Sequence, residues 1–212
     1  MAPYSKKEEQ INVATHAFGF ILSVFATIAL ILKAVTNGNS WQIISFSVFG
    51  LSMMTLYIAS TLYHRETVEK TRNKLKIFDH AAIYVLIAGT YTPFTLVTLH
   101  GSKGWWIFSI SWIFALIGIG LKLFFTGRFT VISTLMYVLM GWMIVFAIKP
   151  LIAILPSAGL YWLIAGGIAY TIGAVLYAIK KIPFNHAIFH LFVLAGTFCH
   201  FMAIYFYVVP QN

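Results

Sequence analysis

Residues 41–63 read WQIISFSVFGLSMMTLYIASTLY, with His64 and Arg65 next. The run has 23 residues and contains no Asp, Glu, Lys or Arg. A helix needs about 20 apolar residues to cross the hydrocarbon of a bilayer. This one is apolar on both faces, so neither face suits water. It reads as a membrane-spanning helix that stops at a cationic boundary.

Six more runs of this kind flank it. They cover 12–33, 78–99, 104–125, 130–148, 158–179 and 187–208, which makes 41–63 the second of seven. The breaks between them are Thr36-Asn37-Gly38-Asn39, the charged stretch 65–76, Gly101-Ser102-Lys103-Gly104, Thr126-Gly127-Arg128, the segment 150–159 and the segment 180–185. Only helices fit, because the runs are too long and too apolar on both faces for barrel strands. The first run is also too long for a signal-peptide core, and no small-residue cleavage site follows it. The expectation is an all-α integral membrane protein, with residues 1–212 forming a single seven-helix membrane domain.

Composition points the same way. Of 212 residues, 60% are hydrophobic and 9% are charged, and mean hydropathy is +0.88. Soluble domains carry about 25% charge, so a water-soluble globule and a disordered chain are both excluded. One cysteine, Cys199, allows no intrachain disulfide and no cysteine zinc cluster. The net charge of +9 is explained by where the cations lie. With the N-terminus in the cytoplasm, the inner segments hold Lys6, Lys7, Arg65, Lys70, Arg72, Lys74, Lys76, Lys122, Arg128, Lys180 and Lys181. The outer segments hold Lys33, Lys103 and Lys149. That 11-to-3 split predicts N-inside, C-outside topology in the plasma (inner) membrane. No nucleic acid partner is needed to explain the charge. Trp41, Trp105, Trp106 and Trp162 open spans on the outer side, as an interfacial belt would.

Ionisable groups at membrane depth are rare and usually functional. Among the acids Glu8, Glu9, Glu66, Glu69 and Asp79, only Asp79 stands at the mouth of a span, the third. His64 closes the second span, and His186 and His190 open the seventh. All four then lie at the inner boundary. His186 and His190 are four apart, so one helical face presents both imidazoles. Three histidines and a water make the open tetrahedral zinc site of a hydrolytic enzyme, where the water pKa falls to about 7. Asp79 is placed to orient or deprotonate such a water. Ser60, one turn before His64, is placed to hydrogen-bond a ligand or a substrate carbonyl. His16 is read as a partner of the ligands or an interfacial residue. His80 points away from Asp79's direction, His100 is read as solvated, and His200 lies about 15 Å beyond His190 along the helix. Asn185 is expected to cap the last helix, and Pro93 to kink the third. Gly166-Gly167 and Gly173 suggest close packing of the sixth.

These residues carry a family pattern. Ser60-Thr-Leu-Tyr-His64, Phe78-Asp79-His80 after a basic loop, and Asn185-His186-Ala-Ile-Phe-His190 together resemble the hemolysin III family. That family is the bacterial branch of the progestin and adiponectin Q receptor (PAQR) superfamily. Ala88-Gly-Thr-Tyr-Thr-Pro-Phe94 and Phe198-Cys-His200-Phe resemble it too, and the likeness runs from Asn12 and His16 to Tyr207. The resemblance implies seven helices, a cytoplasmic N-terminus and a zinc near the inner face. His64, His186 and His190 match the zinc ligands, Asp79 the acid that holds the zinc water, and Ser60 the serine beside it. It implies a ceramidase-like hydrolase acting on a lipid amide or ester, since relatives near the adiponectin receptors are thought to cleave ceramide. The branch name implies haemolysis instead. Without the long N-terminal domain of the animal receptors, no protein hormone is expected as ligand.

Two other readings stay open: a membrane sensor or regulator with a structural zinc, and a haemolysin-like cytolytic activity. No carboxylate at mid-membrane suggests an ion carrier, and no lysine in the seventh span suggests a retinal pump.

Overall fold

A computed structural model describes residues 4–125 and 130–209. Among the described residues there is no strand, and seven helices are long and apolar enough to span a membrane. They are α1 (Lys6–Asn37), α2 (Ser40–Arg65), α3 (Glu69–Thr98), α4 (Gly101–Phe125), α5 (Ile132–Ile154), α6 (Ser157–Ala178) and α7 (Asn185–Tyr207). The chain is a multi-pass membrane protein. In a bacterium that membrane is the plasma membrane. The large apolar side chains turned outward, such as Phe146 at 89% and Phe124 at 80% exposure, suit lipid and not water.

The helices begin and end for local reasons. Ser5 caps α1 by accepting from the Glu8 N–H at 3.2 Å, and Glu8 and Glu9 stand in its first turn, where the helix dipole favours acids. Asn39 caps α2 through the Gln42 N–H at 3.1 Å. α1 starts at Lys6 and α3 at Glu69, well before the apolar runs at 12 and 78. Hydropathy marks where a helix enters lipid, whereas the helix itself continues past the lipid as polar turns, begun at a side-chain cap in α1 and without one in α3. The break at Thr126-Gly127-Arg128 lies outside the described residues.

Two prolines mark irregular stretches of helix, and one of them, Pro150, departs from the expectation. Pro93 is followed by a π-helical turn, Phe94–Thr98, closed by the Leu99 N–H to the Phe94 carbonyl at 2.8 Å. The hydroxyls of Thr92 and Thr95 bond back to the Ala88 and Tyr91 carbonyls at 2.9 Å each. Pro150 does not end α5 at 148. A 3₁₀ segment, Trp142–Ala147, comes first, and a new α-helical segment, Ile148–Ile154, follows. Pro150 falls in the first turn of that segment, where its missing N–H costs nothing. The Tyr91 hydroxyl bridges the irregular stretch. It donates to the Met140 and Gly141 carbonyls at 3.0 and 2.8 Å and accepts from the Ile144 N–H at 2.9 Å.

α1 packs against α2 and α7, α2 against α3, α3 against α4, and α6 against α7. The α6–α7 contact depends on glycine. A Cβ at Gly166 would stand 2.3 Å from His200 Cδ2, and one at Gly173 would stand 2.6 Å from Phe192 Cβ. Asn185 does not cap α7, because it is the helix's first residue. Its amide donates across to the Tyr177 carbonyl at 2.7 Å, pinning α7 to the end of α6. The residue before it, Phe184, takes a left-handed φ of 55°.

Candidate metal centre

α2 delivers His64 from its last turn, and α7 delivers His186 and His190 from its first two turns. The end of α2 and the start of α7 thus lie at the same level of the bundle as the start of α1. His186 Nε2 lies 3.0 Å from His64 Nε2 and 3.0 Å from His190 Nε2. Among the described residues these three form the group of metal-type donors, all buried, with atoms within 4.8 Å of one another.

The hydrogen bonds behind the rings fix what the Nε2 atoms can do. His64 Nδ1 faces a carboxylate oxygen, Glu9 Oε2, at 2.6 Å. A carboxylate only accepts, so Nδ1 carries a proton, and in the neutral imidazole that leaves Nε2 as a lone pair. Thr15 Oγ1 gives its single proton to the Ile11 or Asn12 carbonyl, at 2.9 and 3.0 Å. It therefore accepts from His190 Nδ1 at 3.3 Å, and His190 Nε2 is a lone pair too. Two lone pairs then converge on His186 Nε2, which has at most one proton to share between them. A cation resolves this frustration. Nitrogens around a tetrahedral zinc with ~2.05 Å bonds stand about 3.3 Å apart, close to the separations found here. The donor set fits a metal ion.

The tyrosines Tyr4, Tyr63 and Tyr177 enclose the trio. Tyr4 Oη is 3.1 Å from His186 Nδ1, and the Tyr63 and Tyr177 rings lie 4.6 and 5.3 Å from those of His64 and His186. Burial pushes the Tyr4 phenol well above its usual range, so it stays protonated at neutral pH.

A cavity of about 150 Å³ opens beside the trio. Its wall is mostly apolar, with Leu56, Ile83, Leu86, Ile87 and Val193 among the residues that line it. Ser60 and Asp79 also line it, and both are buried. Ser60 Oγ is buried and faces the Asp79 carboxyl. Asp79 is outside the close donor group yet shares the cavity with two of its members, His186 and His190.

The remaining histidines divide. His16 stacks on His190, with centroids 3.5 Å apart and rings 8° from parallel. Both of its ring nitrogens are buried without a partner among the described residues. His80 also lines the cavity. His200 lines the same cavity, and its Nε2 is 3.2 Å from the Leu163 carbonyl. His100 is exposed, as expected.

Sequence reasoning overlooked Tyr4, Glu9, Thr15 and Arg72. Glu9 counted only as one acid in a hydrophilic segment. The available signal was spacing: Glu9, Asn12 and His16 stand at i, i+3 and i+7, one face of a helix. It was hidden because the helix was expected to start at residue 12.

Fold and site define a class: a seven-helix membrane protein with a buried trio of histidines beside an apolar cavity. The family model described as Haemolysin-III related matches residues 4–201, and the chain belongs to that family. It is 49% identical over 206 residues to the Hemolysin-3 homolog of Bacillus subtilis (strain 168), covering 97% of each chain. It is also 49% identical over 204 residues to Hemolysin-3 of Bacillus cereus, covering 96% of this chain and 93% of that one. A more distant relative is the human Monocyte to macrophage differentiation factor, 28% identical over 214 residues, covering 95% of this chain and 84% of the relative. That kinship agrees with the wider PAQR superfamily.

Proposed function

We infer that the protein is a zinc-dependent hydrolase of a lipid amide or ester, working inside the membrane. The observation that carries this reading is the convergence of three imidazole Nε2 atoms beside an apolar cavity whose wall includes Asp79 and Ser60. His64, His186 and His190 would hold the zinc, since neutral imidazoles suit it. Zinc bound there supplies Lewis acidity, which makes a nearby water more acidic and polarises a carbonyl. Asp79 takes the proton of the attacking water and passes it to the leaving group. Ser60 Oγ, buried beside the Asp79 carboxyl, donates to the substrate's carbonyl oxygen. The apolar wall receives the acyl chain. The split of lysine and arginine favours the cytoplasmic side for this end of the bundle, and on that orientation lipid enters from the inner leaflet.

The test uses zinc-loaded protein in vesicles doped with fluorescent N-acyl or O-acyl lipids. Release of fatty acid that stops on chelation and resumes with zinc supports the reading. Loaded protein that cleaves no amide or ester lipid contradicts it.

One observation favours a second reading, a sensor or regulator with a structural zinc. α2 and α7 meet mainly through α1, so a metal held by His64, His186 and His190 is a direct tie between them. A coordination shell with no exchangeable water would support that role.

A further inference from the structure

The first helical turns of the chain wrap the back of the trio. The rear nitrogen of every imidazole meets a group from residues 4–16. Glu9 Oε2 is 2.6 Å from His64 Nδ1, and Asn12 Nδ2 is 3.4 Å from the same atom. Tyr4 Oη is 3.1 Å from His186 Nδ1, and Thr15 Oγ1 is 3.3 Å from His190 Nδ1. His16 covers the face of His190. Glu9 is itself held from behind. Its other oxygen pairs with Arg72, which also donates to the Glu66 carbonyl at 2.9 Å and lies over the Tyr63 ring at 4.7 Å. One contiguous segment thus sets the orientation of ligands that come from two other helices.

We propose that residues 4–16 form a clamp that retains the metal, with Glu9 as its principal positioning residue. The clamp rests on the reading of the trio as a metal site. A carboxylate behind a ligating imidazole locks its tautomer and orientation and makes its front nitrogen a better donor. Glu9 also brings negative charge toward a dication held by three neutral ligands. Because the segment binds the metal-loaded arrangement more tightly, linkage requires the converse: metal tightens the docking of the segment. Lys6 and Lys7 are exposed at its start, so protease access there reports its docking.

The experiment uses the full chain in detergent, zinc, and a chromophoric chelator as competitor. Glu9→Gln is compared with wild type and with Glu69→Gln, which removes the same charge from an exposed position. Helix content by circular dichroism checks that each variant folds. The clamp predicts that Glu9→Gln weakens zinc binding about 10–100-fold, while Glu69→Gln stays within about twofold. It also predicts that zinc slows trypsin cleavage after Lys6 and Lys7 roughly fivefold or more in wild type, and much less in Glu9→Gln. If Glu9→Gln does not fold, Tyr4→Phe and Thr15→Val carry the test, each expected to weaken zinc binding about tenfold. Wild type that binds zinc, alongside folded variants that bind it equally well, overturns the clamp and leaves the metal site standing. Wild type that binds no zinc overturns the metal site and the clamp with it.

Discussion

α3 and α5 are both long and apolar enough to cross a membrane, yet they belong to the bundle in different ways. In the most apolar stretch of α3, 78% of the residues are buried inside the protein; in α5 the share is 17%. α3 is held on both sides, by α2 and α4, and carries Asp79 into the cavity. α5 faces lipid along most of its length, breaks into a 3₁₀ segment, and is steadied there by Tyr91 from α3. Apolarity alone therefore says that a helix lives in lipid. It does not say whether the helix sees lipid or protein. In a membrane the driving force between helices is close packing and buried polar contact, and those features concentrate on α1, α2, α3, α6 and α7.

This contrast can be broken experimentally. The largest effect is expected from the buried acid of α3. Asp79→Asn should cut lipid turnover by roughly 10²–10⁴-fold while zinc content stays near that of wild type, measured on the same preparation. Equal turnover would remove Asp79 from the chemistry. Next comes packing. Gly166→Ala should destabilise by about 1–3 kcal/mol in detergent melts, because the new methyl strikes the His200 ring and the Gly196 carbonyl. Gly120→Ala on α4 meets nothing within 4 Å. It should be neutral or stabilising by up to about 1 kcal/mol, through the better helix propensity of alanine. Equal melting shifts for the two glycines would erase the distinction between packed and lipid-facing helices. The smallest effect is expected at Phe146, 89% exposed on α5. Phe146→Ala should stay within about 0.5 kcal/mol, and a larger loss would mean that this face is covered.

The same contrast explains which parts of the molecule were legible in sequence. Spans are dictated by a bilayer's thickness, so seven runs of about 20 apolar residues stand out. His64, His186 and His190 were legible because an i,i+4 pair and a boundary position are visible without tertiary information. Gly166 and Gly173 were legible as packing residues because small side chains are what close helices need. The polar turns of α1 and α3 were not, because hydropathy is blind to a helix that continues into water. Pro150 misled for a related reason: proline stops a helix only in its interior, and a preceding 3₁₀ segment turned its position into a first turn. The residue type of Asn185 suits a cap, whereas its amide serves a carbonyl of the neighbouring helix. Glu9 could be recognised as a partner of His64 only once α1 and α2 lay side by side.

The most direct test is the zinc content per chain of detergent-purified protein, measured beside the His186→Ala/His190→Ala double variant. About one zinc per wild-type chain, lost in a variant that keeps its helix content, is the predicted result. Well-folded wild type that takes up no zinc even after reconstitution, or a double variant that retains it, would contradict the assignment of the trio as a metal centre.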